Sequence, residues 1–399
     1  MPSLALRQDC TGCGACAYRC PKHCIHMEAD KIGVAYPRID DSACVDCHVC
    51  EKVCPIITPS LLMETRKCYA AWNNDEDERS TSASGGIAIA IYQEALINGM
   101  VAIGASQNAD WTVTHKVVKT PQELTPLKNS KYTFSSALEV YPRIQELLKA
   151  GKSIVMVGLP CQIAAVRSLF GEHTSLFLID IVCHGSTPTL YLQQHIQSLE
   201  KMIGEKANRM SFRSPEKGTE NYFFTLYNNR DEIIYAKRSI DGDSYNIGFH
   251  RAISYRENCY HCRFACPERV SDITLGDYHG LGKEKPCSYS EKKVSTILIH
   301  TNKGQQLVDS LITKGIIFAE ERPISESVNG DAQLRRPSPK TASRYDFEKY
   351  ISNYQGDFER AMGRVINMNR YRENRQRIKE TPQRLIRKIM NLIRLDYIK

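Results

Sequence analysis

No apolar run in the 399 residues reaches the roughly 20 residues that a membrane-spanning helix needs, so no transmembrane span is expected. Residues 1–10 contain no apolar stretch of the kind a secretory signal carries, and a cytoplasmic protein is expected. Net positive charge is absent outside the C-terminal stretch. Arg360 to Lys399 holds twelve Lys or Arg against Glu373, Glu380 and Asp396, a net +9 in a chain whose total is +8, so the other 359 residues carry −1. That stretch is poor in aromatics and shows no recognition motif, which argues against a nucleic-acid partner. Its Arg384-Leu385-Ile386-Arg387-Lys388-Ile389-Met390 pattern sets apolar residues at helical spacing beneath a basic face. Such a helix either docks on the body or touches an anionic membrane surface through residues 384–399.

Cysteine, by contrast, is abundant: 16 residues. Without an export signal, this number points to metal ligation in a reducing compartment rather than to disulfides. The spacing is specific. Cys10-x2-Cys13-x2-Cys16-x3-Cys20-Pro21 recurs 34 residues later as Cys44-x2-Cys47-x2-Cys50-x3-Cys54-Pro55. This is the bacterial two-cluster 4Fe–4S pattern, in which the last cysteine of each run ligates the other cube. Cys10, Cys13, Cys16 and Cys54 are therefore assigned to one cluster, and Cys44, Cys47, Cys50 and Cys20 to its partner. Zinc sites use Cys-x2-Cys pairs rather than triplets closed by Cys-Pro, and a chain of this length needs no disulfide staples. Oxygen-sensitive cubes imply an anaerobic or microaerobic host.

Beyond a short linker (56–67), alternating strand and helix signals predict an α/β body. Cys68 to Trp72 reads as a strand. Ser84-Gly85-Gly86 opens a helix running from Ile87 to a glycine cap near Asn98-Gly99, and a small-residue loop there suits a phosphate, although Ser84 could equally be an N-cap. Ser130-Lys131-Tyr132 lies in a loop before a helix near 136–149, where Lys131 meets a ligand or faces solvent. Two buried strands, Ser153 to Gly158 and Ser175 to Val182, end in Leu159-Pro160-Cys161-Gln162 and Cys183-His184-Gly185, where open α/β sheets place ligands. Helix is expected over 163–170 and 189–203, antiparallel strands over 209–237 turning at Asn228-Asn229, and a strand–helix–strand over 294–320. Cys259-Tyr260-His261-Cys262 adds thiols that, with Cys161 and Cys183, suffice for a third 4Fe–4S cube. Cys266 competes for one place. Cys24, Cys68 and Cys287 have no partner in spacing and default to structural roles.

These motifs in this order, from residue 68 to about 320, make the chain similar to the family of coenzyme F420 hydrogenase/dehydrogenase beta subunits. The matching residues are Ser84-Gly85-Gly86, Ser130-Lys131-Tyr132, Gly158-Leu159-Pro160-Cys161-Gln162, Cys183-His184-Gly185, Cys259-x2-Cys262 and Ser271-Asp272-Ile273-Thr274-Leu275-Gly276-Asp277. Family members are iron–sulfur flavoproteins, often with a ferredoxin module. The resemblance implies FAD contacts at Ser84, Gly85, Gly86, Lys131 and Tyr132, and third-cluster ligands Cys161, Cys183, Cys259 and Cys262. The chain departs from the family in carrying His279 where an aromatic is common, and in the extra thiol of Cys266. The implied domains are a ferredoxin domain over 1–66, an N-terminal flavin-binding subdomain over 67–155, a C-terminal subdomain with the third iron–sulfur site over 156–345, and a basic helical tail over 346–399.

The fold class expected is mixed α/β, with a ferredoxin-like start and a helical end. The activity expected is a FAD- and iron–sulfur-dependent oxidoreductase exchanging electrons with a redox partner protein and a small two-electron partner. That partner is a deazaflavin coenzyme or a biosynthetic intermediate, as in surface-polysaccharide synthesis. His184, Asp277 and His279 are the candidate proton-handling groups. The alternative is a non-catalytic electron-relay subunit without a working flavin.

Overall fold

The computed structural model describes residues 2–375. The basic helix expected over 384–394 lies outside them. Contacts divide the chain into one unit over 1–339 and another over 340–399. Among the described residues no helix is long and apolar enough to cross a membrane.

The first unit begins with the cysteine-rich segment. Two short helices, α1 (Ala15–Arg19) and α2 (Val49–Lys52), each follow a cysteine triplet's first turns, and a hairpin of β1 (Ile25–Ala29) and β2 (Ala35–Ile39) joins them. Elements this short cannot hold themselves together by hydrogen bonds alone. They are tied instead to the body: the Tyr141 hydroxyl donates to the Cys13 carbonyl at 2.8 Å, and Arg263 donates to the Ile56 carbonyl at 2.8 Å.

The body is one nine-stranded sheet. Its strands are β3 (Lys67–Asn73), β4 (Val101–Gln107), β5 (Val113–Val118), β6 (Ser135–Ser136), β7 (Ile154–Gly158), β8 (Leu176–Ile181), β12 (Ile273–Asp277), β13 (Ser295–Ile299) and β14 (Ile317–Arg322). The intervening β9 (Arg209–Ser211), β10 (Phe224–Tyr227) and β11 (Ile233–Lys237) form a separate antiparallel sheet. The spatial order is β14-β3-β13-β12-β8-β7-β4-β5-β6. The middle four, β12, β8, β7 and β4, run parallel, and the flanking pairs are antiparallel except for β5–β6.

Alternation along the central strands sends side chains to two cores. Val155 and Ile179 join one, beneath α4 (Ile87–Ile97) and the later α9 (Asn302–Thr313). Ile154, Met156, Leu176 and Leu178 join the other, beneath α5 (Tyr141–Lys149) and α6 (Pro160–Phe170). Each such fully buried aliphatic contributes about 1.5–3 kcal/mol. Four further helices complete the unit: α3 (Glu76–Thr81), α7 (Thr189–Ile203), α8 (Ser244–His250) and, after the last strand, α10 (Ile324–Gly330).

The contacts therefore divide the chain differently from the sequence expectation. The boundary at 155/156 falls inside one sheet, because β3 pairs with β13 and β14, and β4 with β7. The boundary at 66/67 separates no compact unit, and the last division falls at 339/340 rather than 345/346. In the second unit α11 (Ala342–Asn353) and a helix over 358–375 bury Phe347, Phe358, Met362 and Val365.

Candidate functional site: a line of cysteine cavities leading to a cofactor-sized cleft

The doubled cysteine pattern folds around two small cavities. Cys10, Cys13, Cys16 and Cys54 line one, with Leu4, Pro37 and Ile56 as an apolar shell. Cys20, Cys44 and Cys47 line the other, and Cys50 borders both. Cys24, expected to be structural only, stands beside the second set, its sulfur 3.4 Å from that of Cys20. Burial, and after it the neighbouring thiols, push Cys13 up to about 11 and Cys16 higher still. A cation cluster that shares their negative charge removes that penalty. Among the described residues no three His, Cys, Asp or Glu side chains gather as they would on a single ion. A cube of four irons is wider than one ion and needs its thiolates around a cavity, and the residues fit it.

A third set forms where the sheet's parallel core ends. Cys161 lies in the first turn of α6, one residue after Pro160, and Cys183 follows β8. Cys259 and Cys262 come from a 3-10 turn over Glu257–His261. The four gather half-buried, close enough for their charges to act on one another. Burial, then the charges of Cys262, Cys183 and Cys259, raise the Cys161 thiol well above its ordinary value, and burial and Cys259 raise Cys262 to about 11. The Ser186 N–H points at the Cys259 sulfur at 3.4 Å. Cys266 is turned away: its thiol meets the carbonyls of Glu268 at 3.1 Å and Arg263 at 3.4 Å, and none of the four thiols figures among the charges acting on it. The loop is clamped by Arg269, which pairs with Asp180 at 3.1 Å, both fully buried, and donates to the Phe264 carbonyl at 2.7 Å. Asp180 is the penultimate residue of β8, so the pair holds the Cys262 loop against the strand that presents Cys183.

Cys183 also borders the main cavity, about 470 Å³, within the range of cofactor pockets. The cavity opens at the carboxyl ends of β7, β8 and β12, where Gly158, Ile181 and Asp277 line it. Its other wall is the loop before α4. Gly86, at φ 80°, is the N-cap of α4, so Ser84 is not. The Ser84 hydroxyl instead donates to the Val294 carbonyl at 3.1 Å and accepts from Ser295 at 3.0 Å. Ser84, Gly86 and the first turn of α4, whose N–H groups lack helical acceptors, face the cavity. Gly85 does not line it. Its N–H is spent on Ser295 Oγ at 2.9 Å, and a Cβ there would lie 2.6 Å from the Ala71 carbonyl, so its role is to let the loop lie flat on β3 and β13.

Lys131 lines the cavity, but its ammonium donates to the carbonyls of Lys128 at 2.7 Å and Pro126 at 2.9 Å, and burial lowers it to about 7. Tyr132 stacks on Phe249, ring centres 4.3 Å apart, making an aromatic wall. His184 stands 3.7 Å from Asp331. Burial alone would raise that carboxyl, but nearby His184 and the Gln333 N–H, which donates to it at 2.9 Å, outweigh burial and hold Asp331 low. Asp277 is bound by Arg213 at 3.0 Å and by the Tyr222 hydroxyl at 3.4 Å. His279 lines the same end.

Three lining residues carried no spacing signal. Arg213, from the strand region after α7, also donates to the carbonyls of Ala83 and Thr219, joining the α4 loop to the Asp277 end. Gln162 accepts from Leu159 N–H at 2.9 Å and donates to the Ser135 carbonyl at 2.7 Å, so its place directly after Cys161 was the available clue. His115 is buried, its Nδ1–H donating to the Ser136 carbonyl at 3.1 Å, and burial lowers it to about 4.

Comparison with known proteins fits this geometry. Residues 68–141 match the N-terminal model, and 151–325 the C-terminal model, of the coenzyme F420 hydrogenase/dehydrogenase beta subunit; residues 9–56 match a 4Fe-4S dicluster domain. The chain is 23% identical over 347 residues to one subunit of the F(420)H(2) dehydrogenase of Methanosarcina mazei, covering 82% of this chain and 89% of that one. It is 24% identical over 379 residues to the coenzyme F420-dependent sulfite reductase of Methanocaldococcus jannaschii, covering 86% of this chain but only 52% of that protein, so it spans about half of that relative. A chain of the F420-reducing [NiFe] hydrogenase complex of Methanosarcina barkeri aligns with a TM-score of 0.42 at 18% identity, covering 77% of this chain and 93% of that one. With both family segments in order behind a 4Fe–4S dicluster domain, the chain belongs to the family of coenzyme F420 hydrogenase/dehydrogenase beta subunits, which are iron–sulfur redox proteins.

Proposed function

We propose that the protein is a FAD-containing oxidoreductase in which three 4Fe–4S sites lead to the main cavity. The observation that carries this reading is contiguity. Cys50 borders both ferredoxin cavities, Cys13 shares one apolar core with Cys161 and Cys262, and Cys183 borders the large cavity. When bound, the cubes supply one-electron carriage and the flavin exchanges one-electron for two-electron chemistry.

The chain's own residues do the rest. Tyr141 and Phe264 exclude water between the first and third cysteine sets. Ser84, Gly86 and Lys131 offer polar contacts, and Tyr132 an aromatic face, to the ring or the phosphates of FAD. Arg213 pins Asp277; of the two remaining candidates, His184 and His279, His184 is half-exposed on the cavity wall and backed by Asp331, which makes it the group better placed to hold or pass a proton. The names of the relatives make a deazaflavin coenzyme the first two-electron partner to try, and a second redox protein the electron partner on the ferredoxin side. The thiols this requires stay reduced in a cytoplasm.

Anaerobically prepared protein is expected to hold about twelve irons, with bound FAD. Cys183→Ser is expected to lose about four irons and to slow bleaching of the flavin by dithionite-reduced ferredoxin at least tenfold, whereas Cys266→Ser keeps both. Protein that holds its irons but no flavin would establish the electron-relay alternative instead.

A further inference from the structure

Arg256 is an unusual residue to find where it is. Its side chain is buried, at 2% exposure, and no carboxylate among the described residues pairs with it. Its Nε has no hydrogen-bond partner at all. Burying a guanidinium without a counter-charge costs several kcal/mol. The side chain reaches into the cysteine-rich segment, where Nη2 donates to the Thr11 carbonyl at 3.0 Å, between Cys10 and Cys13. The approach is so close that a Cβ on Gly12 would lie 2.8 Å from Nη2. The backbone of the same residue belongs to the third set: its N–H donates to the Ser186 carbonyl at 2.9 Å, and its carbonyl accepts from Cys259 N–H at 3.1 Å. The Phe134 ring, 4.1 Å from the guanidinium carbon, closes the site from a third side.

We propose that Arg256 is a positioning and potential-setting residue whose counter-ions are the two flanking cysteine sites, Cys10/Cys13/Cys16/Cys54 and Cys161/Cys183/Cys259/Cys262. This rests on the reading that both sites hold cubes. The residue touches the Cys10–Cys13 segment with its guanidinium and the Cys259 turn with its backbone. A four-thiolate cube is anionic, and a one-electron reduction breaks no bond and adds one negative charge beside the guanidinium. The cation thus favours the reduced state at both ends of the step between the two sites, and keeps their potentials matched. The remaining ferredoxin site, around Cys20, Cys44 and Cys47, is a built-in control, since the side-chain contacts of Arg256, to Thr11 and Phe134, do not reach it.

The test is an anaerobic, EPR-monitored dithionite titration of the full chain, with iron and acid-labile sulfide assays. Arg256→Gln with full iron is expected to weaken reduction of two of the three clusters about tenfold, about 59 mV for one electron. Arg256→Lys is expected to restore most of that shift. Full iron with unchanged potentials, or an equal shift of all three, overturns the proposal. If Arg256→Gln loses iron, retention by Arg256→Lys supports the charge role, and loss in both variants overturns it in favour of packing. Wild-type protein without iron would instead defeat the cluster reading itself, before any variant is compared.

Discussion

Single buried residues are governed by what burial does to their charges. His115 and His300 are both held neutral by burial, at about 4 and about 3, against an ordinary value near 6.5. A histidine whose folded value is lowered binds fewer protons when folded than when unfolded. Its contribution is complete above about pH 6.5 and is lost as the pH falls toward the folded value. For His115 the loss at pH 5 is about 2 kcal/mol. The melting temperature under argon is therefore expected to fall between pH 7 and pH 5, and His115→Asn is expected to flatten that slope while lowering stability at pH 7. An unchanged slope would place the acid sensitivity elsewhere. Little of this was legible beforehand, because a lone histidine in a strand has no spacing partner to announce it. Cys266 shows the converse: in sequence it rivals Cys262, and only the turn of its thiol toward backbone carbonyls separates them.

At the scale of elements, the junction before α4 shapes the cavity. The helix itself is plain in sequence, an apolar run ending at Asn98-Gly99, and it runs from Ile87 to Ile97. What was not plain is how three adjacent small residues divide the work. Ser84 ties the loop to the Val294 carbonyl, Gly85 allows it to touch β3, and Gly86 turns left-handed to start the helix. Gly85→Ala is expected to push the loop off the sheet, costing about 1–3 kcal/mol, and to weaken FAD binding at least tenfold by fluorescence titration. The iron content is expected to stay unchanged, because no cysteine lies on that loop. Retained FAD affinity would show that the loop plays no part in the cofactor site.

For the whole molecule, every assigned cysteine and every residue lining the large cavity lies within residues 1–339, one of the two compact units. A chain ending at Pro339 is expected to keep full iron and flavin by metal assay and absorption spectrum. Loss of iron on truncation would assign the second unit a structural part in the cluster sites. The sheet joins the segments expected as two subdomains, 67–155 and 156–345, into one body. Its first strand, β3, is sandwiched between β13 and β14 from more than 200 residues away. Such pairings have no local signature, since side-chain alternation marks a strand but not its neighbour.

The cysteine spacing by itself determined the ferredoxin-like segment, because ligands three and four residues apart are held together by the chain that links them. Apolar runs ending in Cys161 and Cys183 likewise determined the central strands and where they stop. Only the tertiary structure decided which thiols from three distant loops meet, which glycine faces the cavity, and that Arg256 lies buried between two cysteine sites. Those outcomes depend on contacts between segments far apart in the chain, where burial and charge act through space.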